Sequence, residues 1–265
     1  MIVSNGNAQI KEVCALIKKS RERREQGLFI VEGIKMFSEL PMNHLEKVFF
    51  SESFLKQTKQ QNINLEELLG KIHGELVSDD VMKYMSDTQT PQGILAVAKQ
   101  FSYSLEQILK KDTPAHLIIL DTLQDPGNLG TILRAGEGAG ITGVVMNTST
   151  ADIYNPKVIR STMGSVYRVP FVYAENLEAA ITRIKQEGVR LFAAHLKGTC
   201  NYEEEDYKGN TGFLIGNEAN GLSDRISDMA DSYVKIPMAG AVESLNAAVA
   251  ASVLMFETAR QRRKS

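Results

Sequence analysis

The stretch LDTLQDPGNLGTILRAGEGAG (residues 120–140) leaves an apolar segment through a polar loop and continues as a helical pattern. Pro126 and Gly127 favour a turn, and Asn128 is a good helix N-cap residue. Arg134 follows nearly two turns later, among small residues that leave room around its guanidinium. Because loops at strand ends are where α/β proteins usually keep their chemistry, the stretch predicts a strand, a helix and a candidate site between them.

The sequence on both sides of this stretch continues the alternation of apolar strands and helices. Strands are predicted in HLIILD (116–121), TGVVMNT (142–148), VPFVYA (169–174), VRLFAAHL (189–196), GFLIGNE (212–218) and SYVKIPM (232–238). Helices are predicted from Asn128, from Pro156 and over 177–186, and the alanine-rich 243–263 reads as a long, largely packed helix. Continuous apolar strands separated by helices predict a parallel sheet covered on both faces.

The first hundred residues predict a smaller α/β unit. A helix capped by Asn7 precedes strands over 27–33, 45–51 and 93–99, with a further helix over 65–72. The pattern weakens between residues 100 and 114, so we place a domain boundary near residue 108, with domains 1–107 and 108–265.

Composition excludes several classes of protein. There is no apolar run long enough for a membrane span, the N-terminus lacks a signal-peptide core, and two cysteines do not make a disulfide framework, so we expect a cytoplasmic protein. The four histidines are scattered, so we expect no metal site. With a net charge of −2, any binding of nucleic acid depends on local basic segments, of which 18–24 and 260–265 are candidates. Taken alone, each is better read as a solvated helix end.

Two further loops follow predicted strands. GFLIGNEANGLS (212–223) exposes main-chain groups that suit a flat heteroaromatic ring. Taken alone, it is better explained as an ordinary turn with Glu218 as a helix-capping carboxylate. VKIPMAGAVESLNAAVAAS (234–252) puts Ser244 and Asn246 at the start of the last helix, in an N-cap position. Arg134 by itself fits a surface salt bridge and a phosphate contact equally well. The glycines at 136, 138 and 140 do not form a dinucleotide fingerprint, because they end a helix and their spacing is GxGxG.

Together, DPGNLGTILRAGEGAG, LIGNEANGLS and IPMAGAVESLNAAVAAS resemble, in order and separation, the SpoU-type (TrmH-like) RNA ribose 2′-O-methyltransferases of the SPOUT superfamily, over about the last 150 residues. FIVEGIKMFSE (29–39) and SDTQTPQGILAV (86–97) resemble, more loosely, the family's L30e-like substrate-binding domain. The resemblance implies a SPOUT parallel-sheet domain with a deep trefoil knot, preceded by an L30e-like α/β domain, in a homodimer.

The resemblance also implies an S-adenosylmethionine cofactor, an RNA substrate and a set of site residues. The catalytic surround is expected to comprise Asn128, Arg134, Glu218, Ser244 and Asn246. The cofactor is expected to contact Leu214, Ile215, Gly216, Asn217, Ile236, Met238 and Leu245. No metal is expected.

Other interpretations compete with this one. The chain could be an RNA-binding protein that keeps the fold without catalysis, although the presence of all five catalytic-surround residues argues against it. A nucleotide-dependent doubly wound enzyme lacks its phosphate loop here. Methylation of a base is disfavoured by the Asn128 and Arg134 pair, by resemblance only. Between ribosomal and transfer RNA, the extra N-terminal domain favours ribosomal RNA.

Overall fold

The structure, a computed structural model, describes residues 1–60, 74–110, 112–195, 198 and 200–263. The helices are α1 (Ala8–Lys18), α2 (Ser20–Gln26), α3 (Ile34–Glu39), α4 (Glu52–Gln60), α5 (Asp79–Met85), α6 (Leu105–Leu109), α7 (Pro126–Ala139), α8 (Pro156–Thr162), α9 (Leu177–Gln186), α10 (Asp224–Ser227) and α11 (Ala247–Arg262). The strands are β1 (Leu28–Glu32), β2 (Leu45–Ser51), β3 (Glu75–Val77), β4 (Ile94–Lys99), β5 (His116–Leu120), β6 (Gly143–Asn147), β7 (Phe171–Ala174), β8 (Arg190–Ala194), β9 (Cys200–Asn201), β10 (Thr211–Ile215) and β11 (Ser232–Lys235). The helix predicted over 65–72 lies outside the described residues.

The chain forms two compact units. The first contains Met1–Phe101 and Asp152–Tyr167, and the second contains Ser102–Ala151 and Arg168–Ser265. The segment around α8 therefore belongs to the first unit, although it interrupts the sequence of the second. The boundary near residue 108 stays a prediction.

The first unit is built on a four-stranded sheet in the order β1-β4-β2-β3, with β4 antiparallel to both neighbours and β3 parallel to β2. The apolar positions of α1 and α5 cover one face of this sheet. The buried cluster contains Ile10, Val13, Leu16, Ile30, Phe49, Val77, Val81, Met82, Met85, Leu95 and Val97. The helical spacing of the apolar residues in α1 explains this packing, because it puts them on a single face of the helix.

One cation of the basic segment 18–24 is part of this interior. Arg23 is only 3% exposed, and its Nη2 lies 2.6 Å from Asp152 Oδ2. Its Nη1 also donates to the backbone oxygen of Leu16 at 2.6 Å. The expectation that the whole segment offers its charges to solvent is therefore wrong for Arg23, because carboxylate and carbonyl oxygens inside the unit bind its guanidinium.

The second unit contains a parallel sheet in the order β7-β6-β5-β10-β8-β11-β9. Every neighbouring pair among these seven described strands is parallel, which confirms the predicted sheet. In the centre, β10 lies beside β5 with Ile215 opposite Leu120. All residues of both strands are buried, as expected for strands covered on both faces.

Helices α7 and α11 pack closely, and this explains one of the helix-end glycines. A Cβ atom on Gly136 would lie 2.4 Å from Ile141 Cδ1 and 3.3 Å from Met255 Sδ, so a side chain there would displace Ile141 and press on Met255 of α11. Gly140 ends α7 in the left-handed conformation, with φ +73°. These glycines serve packing and helix termination.

Within the described ranges, each helix is too short or too polar to cross a membrane.

Candidate functional site

Strands β5 and β10 lie side by side at the centre of the second sheet, and both end in polar loops. The chain runs from β5 to β6 on one side, and from β10 to β11 on the other. The carboxyl edge of a parallel sheet opens into a crevice at such a point, because the two connections diverge. The loops after β5 and β10 therefore face a natural binding position.

The loop after β5 leads into α7 through an Asp-Pro start. The side chain of Asp125 accepts a hydrogen bond from the Asn128 backbone N–H at 2.8 Å, and Pro126 takes the first helical position. The prediction that Asn128 is the N-cap is therefore wrong. Proline suits the first turn because it has no N–H to satisfy, so the helix begins before Asn128 and leaves that side chain for other contacts.

Glu218, in the loop after β10, binds the start of this helix. Its Oε1 accepts hydrogen bonds from the Asp125 backbone N–H and from Asn128 Nδ2, both at 3.0 Å, and its Oε2 accepts from the Gln124 backbone N–H at 3.2 Å. Partial burial alone would raise the pKa of the Glu218 carboxyl. The hydrogen bonds from the Asn128 amide and from the backbone outweigh it and lower the pKa below its ordinary value.

The loop after β11 reaches the same group of residues through Asn246. Asn246 Nδ2 donates to Asn128 Oδ1 at 2.9 Å. Asn246 Oδ1 accepts from the backbone N–H groups of Ala248 and Val249, at 2.9 and 3.3 Å, and so caps α11. The N-cap is Asn246 alone. Ser244 lies two residues earlier, exposed, because the helix begins only at position 247.

A cavity of about 960 Å³ opens beside this hydrogen-bonded group. Its walls come from the loops after β10 and β11, from the end of β8 and from the first turns of α11. Six of the seven residues expected to contact the cofactor line it: Ile215, Gly216, Asn217, Ile236, Met238 and Leu245. Leu214 does not, since its side chain is fully buried in the apolar core of the unit. Glu218, Ser244 and Asn246 line the cavity as well.

The loop after β10 folds tightly on itself. The backbone groups of Asn217 and Gly221 exchange two hydrogen bonds of 2.9 Å, and Gly221 has φ +70°. A Cβ atom on Gly216 would lie 2.1 Å from the backbone of Gly221 and Leu222. A side chain at position 216 is therefore incompatible with this turn, which keeps main-chain groups along the cavity wall.

Arg134 is exposed on α7, six residues after Asn128 and about 9 Å further along the helix axis. No hydrogen bond or ion pair joins its side chain to another residue of the described chain. The surface salt bridge considered from the sequence is thus not formed, and the guanidinium is available for a ligand. Within the described ranges, His, Cys, Asp and Glu form no group of three or more suited to a metal ion.

Sequence reasoning missed Asp121, which is 7% exposed at the end of β5. Its Oδ2 accepts from Ser223 Oγ at 2.7 Å and from the Ser223 backbone N–H at 3.1 Å, and its Oδ1 accepts from Asn147 Nδ2 at 3.0 Å. The next residue, Thr122, has φ +59°, and its backbone oxygen accepts from Asn217 Nδ2 at 2.8 Å. Asp121 and Thr122 thus hold both ends of the loop after β10. A carboxylate directly after a fully apolar strand was the signal that could have revealed Asp121.

Comparison with known proteins agrees with this architecture. The model of the SpoU rRNA Methylase family matches residues 115–256, and that of the MRM3-like substrate binding domain matches residues 7–96. The chain belongs to the SpoU rRNA methylase family.

Individual relatives match over nearly the whole chain. The 23S rRNA (guanosine(2553)-2′-O)-methyltransferase RlmP of Bacillus subtilis (strain 168) is 31% identical over 258 residues, which cover 96% of this chain and 97% of that protein. An AdoMet-bound rRNA methyltransferase from Sinorhizobium meliloti superposes with a TM-score of 0.85 at 29% identity, covering 98% of this chain and 97% of that one. The SpoU methyltransferase AviRb from Streptomyces viridochromogenes, in complex with AdoMet, also gives 0.85, at 26% identity and 98% and 99% coverage.

Proposed function

We propose that this protein transfers a methyl group from S-adenosylmethionine to the 2′-hydroxyl of a ribose in ribosomal RNA. Membership of the SpoU rRNA methylase family and the likeness to a 23S rRNA 2′-O-methyltransferase support this activity. The observation that carries it is local to the second unit: loops after three strands are joined by hydrogen bonds beside a cavity of about 960 Å³.

The residues around the cavity fit S-adenosylmethionine. The turn at Gly216 keeps main-chain donors and acceptors along the wall, as a flat adenine ring requires, while Ile236, Met238 and Leu245 add apolar surface. When bound, this cofactor supplies a methyl group already activated by a cationic sulfur. The protein's own task is therefore to align the reacting groups and to manage the charge and proton of the hydroxyl.

The guanidinium of Arg134 is suited to stabilise that charge. A guanidinium group presents five N–H donors in a planar fork and accepts no hydrogen bond. It would bind the phosphate next to the target ribose and stabilise the negative charge that develops on the hydroxyl oxygen. Asn128 and Asn246 would bind the ribose, and Ser244 would shape the loop that enters α11. The acceptor of the hydroxyl proton is not assigned to a residue.

RNA recognition belongs in this proposal to the first unit, whose residues 7–96 match a substrate-binding domain. Such an enzyme works in the cytoplasm, where ribosomal RNA is made and assembled in bacteria.

The trefoil knot in the second unit and the homodimer are parts of the same proposal. The exposed face of α11 supports pairing with a second copy. Val249 and Phe256, seven residues apart on that face, are 48% and 47% exposed.

The test is methyl transfer from labelled S-adenosylmethionine to total RNA from cells that lack this protein. We expect label in ribosomal RNA, at one discrete nucleotide, recovered as 2′-O-methyl ribose. Label in transfer RNA alone would move the substrate class, and label on a base would contradict ribose methylation. Cofactor binding without labelling of purified RNA or of ribosome assembly intermediates would favour a non-catalytic RNA-binding protein on this fold.

A further inference from the structure

Three side chains from the loops after β5, β10 and β11 form one continuous chain of hydrogen bonds. Asn128 Nδ2 donates to Glu218 Oε1, and Asn246 Nδ2 donates to Asn128 Oδ1. Asn246 Oδ1 in turn accepts from the first N–H groups of α11. This chain of hydrogen bonds joins the Glu218 carboxylate at one end to the N-terminus of α11 at the other.

The direction of this chain is dictated by its ends. An ionised carboxylate only accepts hydrogen bonds, so the Asn128 amide must turn its nitrogen toward Glu218 and its oxygen toward Asn246. Helix N–H groups only donate, so Asn246 must turn its oxygen toward α11 and its nitrogen toward Asn128. Rotating either amide by 180° would place N–H groups against N–H groups at one contact and oxygen against oxygen at another.

This direction determines what the two amides offer to a ligand. Each Nδ2 group carries two N–H bonds and uses one of them within the chain. Within the described chain, no residue accepts from the second N–H of Asn128 or Asn246. The oxygens of Glu218, by contrast, already accept from Asn128 Nδ2 and from two backbone N–H groups.

We propose that Glu218 is a positioning residue which fixes the orientation of the Asn128 amide, as the N-terminus of α11 fixes that of Asn246, so that this edge of the site presents a pair of N–H donors to an RNA oxygen. The proposal rests on the proposed function and deepens it. In this role Glu218 acts through Asn128, since three of the roughly four acceptor positions of its carboxylate are taken by N–H donors. Both free N–H bonds are available to an oxygen that gains negative charge during the transfer.

Asn246→Asp is the variant that breaks the chain of hydrogen bonds and keeps the cap of α11. The aspartate still accepts from Ala248 and Val249, but it has no donor for Asn128. Asn128 then lies between two carboxylates, its oxygen must face one of them, and one substrate donor is lost. We expect kcat at saturating cofactor and RNA to fall by about 100-fold or more, as for removal of a preorganised donor.

Adding Glu218→Gln to Asn246→Asp should restore the thermal midpoint but not kcat. The introduced glutamine amide donates to Asn128 Oδ1, which lets Asn128 turn and donate to the new carboxylate at 246. These hydrogen bonds are then satisfied, but the second N–H bond of Asn128 leaves from the opposite side of its amide and the donor at 246 is still missing, so we expect kcat to stay within a few-fold of that of Asn246→Asp. Recovery of the thermal midpoint stays incomplete because the glutamine nitrogen also faces the Asp125 backbone N–H. Glu218→Gln alone should cost only a few-fold, since its oxygen can still accept from Asn128.

Glu243→Gln provides the matched control. Glu243 is exposed, lines the same cavity and lies outside the hydrogen-bonded chain, so this change removes the same charge. It should not raise the thermal midpoint of Asn246→Asp. Equal rescue of the midpoint by Glu243→Gln would assign the effect to net charge, and a Glu218→Gln/Asn246→Asp variant with a lower midpoint than Asn246→Asp would mean that Glu218 and Asn246 act separately. Either result overturns the proposal.

Unfolding measurements separate this proposal from the proposed function. If the wild-type protein methylates no RNA, the function fails, whereas rescue of the thermal midpoint of Asn246→Asp by Glu218→Gln would still establish the coupled chain. If the double variant regains kcat together with its thermal midpoint, the direction of the amides does not matter for methyl transfer, and the positioning role is wrong.

Discussion

Arg134 is the residue whose surroundings separate catalysis from stability most clearly. It is exposed and has no hydrogen-bond or ion-pair partner among the described residues, so Arg134→Ala removes no such interaction. We expect the variant to lose about 100-fold to 1000-fold in kcat, as when one transition-state donor is removed, with unchanged cofactor affinity and thermal midpoint. Single-turnover methyl transfer and calorimetric titration of the cofactor measure the two effects.

Arg134→Lys is the matched control. It keeps the charge but loses the planar fork, so its kcat should lie between those of the wild-type protein and Arg134→Ala. Full activity in Arg134→Ala would exclude the residue from the mechanism.

Asp121 belongs to the same scale, and we expect it to affect cofactor binding. An asparagine there has one acceptor oxygen, and its NH₂ group would face the donors of Ser223 or Asn147, which loosens the loop after β10. Because hydrogen bonds to a buried charge are worth about 1.5–3 kcal/mol, we expect Asp121→Asn to raise the KM for S-adenosylmethionine by roughly tenfold or more, with a smaller effect on kcat. Ser223→Ala, which removes only the hydroxyl donor, should have a weaker effect in the same direction. A reduced kcat with an unchanged KM would contradict this role.

At the scale of elements, β5 has its polar site at one end and a buried histidine at the other. His116, the first residue of the strand, is 1% exposed, and no described residue forms a hydrogen bond with its Nε2. Burial, helped by the positive charge of Arg262, lowers its pKa from 6.5 to about 3. Between these two values the unfolded chain binds more protons than the folded one, so stability falls as the pH falls from 6.5 toward 3.

The size of this effect makes it measurable. Lowering the pH from 7 to 4 should cost the folded state up to roughly 3 kcal/mol through His116, at about 1.4 kcal/mol for each pH unit below 6.5. Urea unfolding at both pH values measures the loss, and His116→Gln, which does not titrate, should lose that much less. Equal losses in the two proteins would show that other groups cause the acid sensitivity.

At the scale of the whole molecule, the two units are interleaved along the chain. Residues 152–167 belong to the first unit, where Tyr154 packs against Phe29 with ring centroids 4.8 Å apart and where Ile153, Val158 and Ile159 are buried. A fragment cut at the predicted boundary, residues 108–265, would expose these apolar side chains, at a cost of roughly 5 kcal/mol or more. We expect this fragment to aggregate in size-exclusion chromatography and to become soluble when residues 1–107 are supplied as a second chain. A monodisperse fragment that melts like the full chain would show that its fold does not depend on the first unit.

Local patterning predicted the second unit well, because apolar periodicity and turn residues depend on neighbours in the sequence. It predicted the parallel sheet, the helix over 177–186 and three polar loops, of which those after β10 and β11 line one cavity. It missed short elements such as α10 and β9, whose few residues carry too little pattern. It also misjudged the cap of α7, where a proline next to an aspartate moved the start of the helix.

The sequence by itself determined which segments become strands and helices, and that three polar loops end strands of one sheet, since these features follow from short-range spacing. The tertiary structure alone decided which side chains come into contact. Glu218 and Asn246 lie 90 and 118 residues from Asn128, and strand order brings them within 3.0 Å. Arg23 is buried and Arg134 exposed for the same reason: a side chain's environment depends on what packs over it, and no local pattern specifies that.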